Sequence, residues 1–316
     1  MKIFINRRPV KGPWGGGNKT LAALVDVLAD SHEVVFDLQE CIDVIFCFDP
    51  RPNDAGVWYQ SFIDYKLANP NVKIIQRVGD VGTHSKPELT HLLKQIVKSN
   101  FTDYFIFPSL WAKKMIEHSG DNFSLIHNAP LDSFYSGRKI KNKTLRNPGK
   151  IKITTHHWSN NHKKGFDIYE KLGEFCKENK ILNKQVVFSY YGRYSNDFSS
   201  SGILLNDPID AKQLSIKLPE SDIYLTASKE EAGANHVLEA MACGLPVLYH
   251  KEGGSINEYC KNYGAKEFSD FESLVLAIKQ TVQNYEKAIK ETFLYNDKIE
   301  DVANKYAKII TEAGNC

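Results

Sequence analysis

Short apolar runs alternate with amphipathic stretches from one end of the chain to the other, and that alternation leaves few folds open. Runs at Lys2–Asn6, Val34–Asp37, Asp43–Phe48, Lys73–Arg77, Tyr104–Phe107 and Ser124–His127 read as strands. Between them, Asn18–Ala29, Pro87–Lys98 and Leu110–Glu117 carry helical spacing. The pattern stops at 136–149, a basic stretch without periodicity that ends in Pro148-Gly149 and predicts a linker. It then restarts, with strands at Lys152–Thr155, Val186–Tyr191, Ile223–Thr226 and Pro246–Tyr249. The matching helices are Asp167–Asn179, Asp210–Leu218, Asn235–Cys243, Ser255–Tyr259, Phe271–Asn284 and Ile299–Ala313. Alternation of this kind is the signature of a wound parallel sheet with helices on its faces. A chain of 316 residues also exceeds what one core usually spans. The expected fold class is α/β, with two Rossmann-like, doubly wound parallel-sheet domains facing a cleft. The first domain is expected over 1–135, the second over 150–298, with a C-terminal helix in 299–316. In such sheets ligands sit at the carboxyl ends of the strands.

Composition narrows the function. A formal charge of +2 offers no electrostatic case for nucleic acid, and the aromatic residues are not interleaved with basic blocks. The six Cys form no C-x-x-C pair and the His are not clustered, so reduced thiols and no metal site are expected. The apolar run at the N-terminus is too short for a signal peptide and no run is long enough to span a membrane. A cytoplasmic protein with at most peripheral membrane contact is expected. Residues 1–147 hold 19 Lys and Arg against 15 Asp and Glu. That excess suits an anionic acceptor, although ordinary surface variation explains it about as well.

Two segments carry chemistry. Gly12-Pro13-Trp14-Gly15-Gly16-Gly17-Asn18-Lys19-Thr20 lies between a strand and a helix, where backbone N–H groups close on a phosphate. It nearly matches a P-loop, but Asn18 is inserted before Lys19 and turns the Lys about 100° around the helix. The second segment is Ser228-Lys229-Glu230-Glu231-Ala232-Gly233-Ala234-Asn235-His236-Val237-Leu238-Glu239, followed by Ala240-Met241-Ala242-Cys243-Gly244-Leu245-Pro246-Val247. Gly233, Ala234, Asn235 and His236 open a helix whose amide groups can hold a diphosphate. Glu231 and Glu239 flank that helix start, and a carboxylate accepts two hydrogen bonds from the adjacent hydroxyls of a ribose or hexose.

Glu231, seven residues, then Glu239 resembles the E-x7-E signature of the retaining family-4 glycosyltransferases of the GT-B fold. Gly253-Gly254-Ser255-Ile256-Asn257-Glu258 resembles that family's Gly-Gly-x-x-Glu turn, and Lys163-Lys164-Gly165-Phe166-Asp167 its Lys-Gly segment. In the first half, Gly15-Gly16-Gly17, Ser31-His32-Glu33-Val34 and Ile126-His127-Asn128-Ala129-Pro130 resemble further family stretches. Three positions depart from the pattern: Trp158 stands in the usual Arg slot, Ala232-Gly233-Ala234-Asn235 follows the first Glu, and Ala129 replaces a Gly.

The resemblance implies a metal-independent, retaining glycosyltransferase with no cofactor beyond its donor, a UDP- or GDP-sugar, and a glycan or lipid-linked acceptor. Lys164, with Gly15, Gly16, Gly17 and the Gly233–His236 helix start, would hold the leaving diphosphate. Glu231 would position the hexose and Glu239 the ribose. With Trp158 in the Arg slot, Lys163, Asn160 or His157 would help hold the diphosphate. The C-terminal helix would cross back to the first domain. Asp80 or His84, in the loop after Arg77, would contact sugar or acceptor, or else Asp80 caps a turn there. Arg193, at another strand end, would border the base or be a plain surface charge. A GT-B sugar-nucleotide epimerase and a P-loop-like nucleotide-binding protein are the alternative readings.

Overall fold

The computed structural model describes all residues except 11–15, 141–144, 146 and 316. It divides into two compact units, Met1–Asn128 with Lys298–Cys316, and Ala129–Asp297. The first unit contains β1 (Lys2–Ile5), α1 (Gly16–Ala29), β2 (Glu33–Val35), β3 (Val44–Cys47), α2 (Tyr59–Ala68) and β4 (Lys73–Arg77). It continues with α3 (Pro87–Ser99), β5 (Tyr104–Phe107), α4 (Leu110–Met115) and β6 (Phe123–Leu125). The second unit contains β7 (Lys150–His157), α5 (Phe166–Glu178), β8 (Lys180–Ile181), β9 (Lys184–Gly192), β10 (Ile203–Asn206) and α6 (Ala211–Lys217). After these come β11 (Ile223–Thr226), α7 (Asn235–Ala242), β12 (Val247–His250), α8 (Ser255–Cys260), β13 (Lys266–Phe268), α9 (Phe271–Gln283) and α10 (Tyr285–Thr292). The chain closes with α11 (Ile299–Gly314) in the first unit.

The first sheet runs β2-β1-β3-β4-β5-β6, every pair parallel. Ile3 to Ile5 and Val44 to Cys47 are fully buried. Helices cover both faces of these strands, which is why they read as unbroken apolar runs rather than alternating ones. The C-terminal helix packs on this unit: Tyr306 meets Phe46 edge-on at 6.0 Å, and Thr311 pairs with His32 at 3.0 Å.

The second sheet runs β10-β9-β7-β11-β12-β13, all parallel, with β8 folded back antiparallel on β9. Strand order reverses between β7 and β11, which places a crevice outside their carboxyl ends. One face of the sheet packs Ile151, Ile153, Phe188 and Leu225 against Tyr169 and Leu172 of α5 and Leu274 of α9. The other packs Tyr224 and Tyr249 against Val237 and Met241 of α7 and Ile256 of α8.

The expected linker at 136–149 is corrected at its start. Residues Asp132–Ile140 form a 3₁₀ helix within the second unit, and Phe134 is fully buried there. Arg138 explains the difference. Its guanidinium donates to the carbonyls of Ala242 (2.9 Å), Met241 (3.2 Å) and Tyr295, and lies 4.7 Å from the Tyr135 ring centroid. Basic character therefore marks a cap on the carboxyl end of α7, not a solvated tether. Residues 141–144 and 146 of the expected linker lie outside the described residues.

Five further elements, the two-residue β8 among them, escape the periodicity. The helix α2 buries only Tyr59 and Phe62, so its apolar stripe is thin. Helix α10 follows α9 directly at Asn284 and is split from it by that residue's non-helical backbone. The strands β10 and β13 are sheet edges, with Leu204, Lys266 and Glu267 facing solvent, as edge strands do when they are protected from pairing.

Arg138→Ala should lower the unfolding free energy of the second unit by about 2–3 kcal/mol, the scale of charge-assisted hydrogen bonds lost from buried carbonyls. Urea unfolding of the two proteins measures it, and a change under about 0.5 kcal/mol would mean the cap carries no stability.

Candidate active site

The residues that the sequence singles out in the second unit gather chiefly around three loops at the carboxyl ends of β7, β11 and β12. The β7 loop ends in a single 3₁₀ turn, His162–Lys164, capped by the Asn161 side chain, which accepts from the Lys163 amide at 2.9 Å. Gly165 follows at φ +82°, and a Cβ there would lie 2.4 Å from the Ala227 carbonyl oxygen. Only glycine lets this loop come so close to the β11 loop. The Lys229 amide donates to the Lys163 carbonyl (2.8 Å) and closes the approach.

The β11 loop is held from its other side by the β12 loop. The Glu230 and Glu231 amides donate to the carbonyls of Glu252 (2.8 Å) and Gly253 (3.2 Å), and the Ser255 amide donates to the Glu231 carbonyl (2.8 Å). Glu231 and Gly254 form a parallel bridge, and Glu230 sits at φ +54°, a conformation rarely taken by a non-glycine residue. The Ser255 hydroxyl accepts from the Ala234 amide at 3.2 Å, just before α7 begins. The Gly-Gly-Ser turn thus works as a brace that fixes Glu231 and the start of α7.

Two side-chain pairs result. Lys164 Nζ donates to Glu231 Oε1 at 2.5 Å, with side chains only 10% and 13% exposed. His156 Nε2 donates to Glu239 Oε2 at 2.9 Å, while the Tyr224 hydroxyl meets His156 Nδ1 at 3.1 Å. The carboxylate acceptor places the imidazole proton on Nε2, which leaves Nδ1 to receive the Tyr224 hydroxyl. Lys163 points elsewhere and pairs with Glu230 at 2.5 Å.

The remaining expected residues fall into place around these pairs. Gly233, Ala234, Asn235 and His236 do open α7, but the His236 side chain is a buried support, its Nε2 bonded to Thr226 Oγ1 at 3.0 Å. Burial pushes the His236 pKa down to about 3. His157 pairs with the Tyr169 hydroxyl (2.7 Å), which accepts from the Ala227 amide (3.0 Å), and its ring meets that of His236 edge-on at 5.1 Å, so it braces the loop. Arg193 lies with its guanidinium carbon 5.2 Å from the ring centroid of Trp158, the residue in the family's Arg slot. Beside it, Tyr191, Tyr194, Leu205, Asn206 and Asp207 line a concavity at the ends of β9 and β10.

In the first unit, Gly16 and Gly17 start α1, and Gly15 lies outside the described residues. Asp80 accepts from Lys86 (2.8 Å) and from the Gly82 amide (2.9 Å). Burial raises its pKa, yet these partners outweigh burial and hold the carboxyl below its ordinary range. Within its own unit Asp80 caps the turn and pairs with Lys86, the arrangement expected of the turn-capping reading. His156 is the residue that sequence reasoning passed over. Its neighbour His157 drew attention, but strand parity points the two apart, and it is His156 that meets Tyr224 and Glu239.

Comparison with known proteins adds to this geometry. Residues 206–299 match the model of the glycosyl transferases group 1 family, a span that contains Glu231, α7 and the Gly-Gly-Ser turn. No curated protein sequence matches the chain. Among solved structures, Anabaena Alr3699/HepE in complex with UDP and glucose superposes with TM-score 0.69 at 13% identity, covering 98% of this chain and 99% of that one. WaaG, a glycosyltransferase involved in lipopolysaccharide biosynthesis, gives TM-score 0.66 at 14% identity, covering 98% and 100%. Sucrose-phosphate synthase from Thermosynechococcus elongatus gives 0.67 at 12%, covering 98% of each. The fold is GT-B. With the family match over 206–299, it supports a glycosyltransferase.

His236 makes the unit acid-sensitive. Unfolded His protonates near its ordinary 6.5 and the folded residue only at about 3, so the unfolded state binds more protons between those values. Stability should fall as pH drops through that window, by up to about 1.4 kcal/mol per pH unit from this residue. Urea midpoints of wild type and His236→Asn across pH 4–7 test it: the wild-type slope should be the steeper, and parallel slopes would refute the assignment.

Proposed function

We propose that the protein is a retaining, metal-independent glycosyltransferase that moves a sugar from a UDP- or GDP-sugar to a hydroxyl of a glycan or lipid-linked acceptor. The observation that carries this reading is the pairing of Lys164 with Glu231 and of His156 with Glu239 beside the start of α7, at the strand-order reversal of the second sheet. The UDP and glucose of the Alr3699/HepE complex support a nucleotide-sugar donor.

Each residue has a role in that reading. Glu239, oriented by His156, accepts the ribose hydroxyls, and Glu231 accepts those of the hexose. Lys164 and the amide groups of the first turn of α7 stabilise charge as it builds on the leaving diphosphate. Arg193, laid over Trp158, supplies a guanidinium beside the slot where the resemblance expects one. The acceptor hydroxyl attacks from the face the diphosphate leaves, and its proton passes to a departing phosphate oxygen. Orientation and electrostatics supply the rate enhancement, with no carboxylate nucleophile.

Binding is tested first. Calorimetry with nucleoside diphosphates should find one that binds, and Glu239→Ala should weaken it by about 1.5–3 kcal/mol, the cost of removing a charged hydrogen-bond acceptor. Unchanged affinity would remove Glu239 from the ribose site.

Turnover tests the mechanism. Lys164→Ala should reduce transfer about a hundredfold or more while donor affinity falls less, because the charge it meets grows toward the transition state. Wild-type transfer should persist in EDTA and give a product of the donor's anomeric configuration by proton NMR. Inverted product, or activity that EDTA abolishes and a divalent ion restores, would overturn the mechanism.

A further inference from the structure

Lys163 and Lys164 are consecutive, yet they serve consecutive carboxylates on the facing loop. Lys164 pairs with Glu231 and Lys163 with Glu230, each at 2.5 Å. A single 3₁₀ turn explains the split, since it rotates neighbouring side chains about 120° apart. The two pairs differ in depth. Lys164 and Glu231 are nearly buried, whereas the Lys163 and Glu230 side chains are 26% and 42% exposed.

Three features set the outer pair apart from an ordinary surface contact. Residue 163 is tied twice: its carbonyl accepts from the Lys229 amide at 2.8 Å, and its ammonium reaches the next residue along, Glu230. The β11 loop that receives it is anchored on its far side. There the Glu230 amide donates to the Glu252 carbonyl (2.8 Å), and Lys229 pairs with the Glu252 carboxylate (3.0 Å). Glu230 itself holds φ at +54°, a left-handed backbone that is unfavourable for a residue with a side chain. The chain keeps a carboxylate at a position where glycine would relieve the backbone.

We infer that Lys163 and Glu230 are positioning residues whose pair clamps the β7 loop onto the β11 loop, so that Lys164 stays aimed while it exchanges Glu231 for a phosphate of the donor. The inference rests on the proposed glycosyl transfer, and it takes Lys163 out of the set of groups that touch the diphosphate. Lys164 carries its charge on a flexible four-carbon stem, so its aim depends on where the loop holds its backbone. Once a phosphate takes Lys164, the inner pair no longer joins the two loops. The outer pair uses neither Lys164 nor Glu231, and it persists through the exchange.

A double-mutant cycle on the full chain tests it, read by calorimetry with UDP and GDP. Lys163→Met and Glu230→Gln should each weaken nucleotide binding about three- to tenfold. The double variant should bind no more weakly than either, as two residues acting as one unit require. A lysine that touches the diphosphate behaves differently: Glu230→Gln would release it and tighten binding, while Lys163→Met alone weakened it. That pattern, additive losses, or no loss in either variant overturns the clamp. Glu230→Gly separates aim from stability. It relieves the left-handed backbone and should melt no lower than Glu230→Gln, yet bind as weakly. Wild-type affinity in Glu230→Gly would refute the inference.

Hydrogen exchange of the free protein gives a reading that needs no nucleotide. Backbone amides of residues 159–166 should exchange about threefold faster or more in Glu230→Gln than in wild type, because the loop opens more often. Unchanged exchange overturns the clamp. Faster exchange in a protein that binds neither UDP nor GDP would uphold the clamp and sink the glycosyltransferase reading.

Discussion

The contact between Gly165 and Ala227 governs the second unit's site. A parallel sheet gathers its loops at one edge, but gathering alone leaves the β7 and β11 loops too far apart for short side-chain contacts between them. Glycine with a positive φ removes the obstacle, and the Lys229–Lys163 backbone bond and the Tyr169–Ala227 bond lock what glycine allows. Lys164 and Glu231, 67 positions apart in sequence, then meet at 2.5 Å. Any side chain at 165 would push the loops apart and separate the pair.

Much of this was legible in the sequence because burial wrote it there. Central strands such as Ile223–Thr226, and the Ile74-Ile75 heart of Lys73–Arg77, are apolar, and the limits of both strands match the structure to the residue. The second sheet's edge strands β10 and β13 escaped because water on one side removes the need for apolar residues. The 136–140 segment was misread for a related reason: Arg138 is polar by composition yet is used inside the unit, on carbonyls no sequence pattern announces.

For the candidate site, spacing along one helix could be read and contacts across the sheet could not. Glu231 and Glu239 stand on one loop and one helix, so their relation is local. The His156–Glu239 pair spans 83 positions, and nothing short of strand parity and sheet order brings the two together. Asp80 shows the converse, since a carboxylate on a strand-end loop reads the same whether it faces a ligand or, as here, a lysine six residues on.

The two side-chain pairs of the second unit also set the rules of entry. Lys164 and His156 each already hold a carboxylate, so an incoming anion does not fill an empty cationic bowl; it must trade places with one. Displacing Glu231 from Lys164 strands a nearly buried carboxylate, which is unfavourable unless the newcomer also brings hydroxyls to satisfy it. Bare phosphate meets one half of that exchange and a free sugar the other. In the proposed glycosyl transfer, only a molecule that joins the two at the right separation would complete the exchange, so selection against the separate fragments of a nucleotide sugar would reside in the resting pairs themselves.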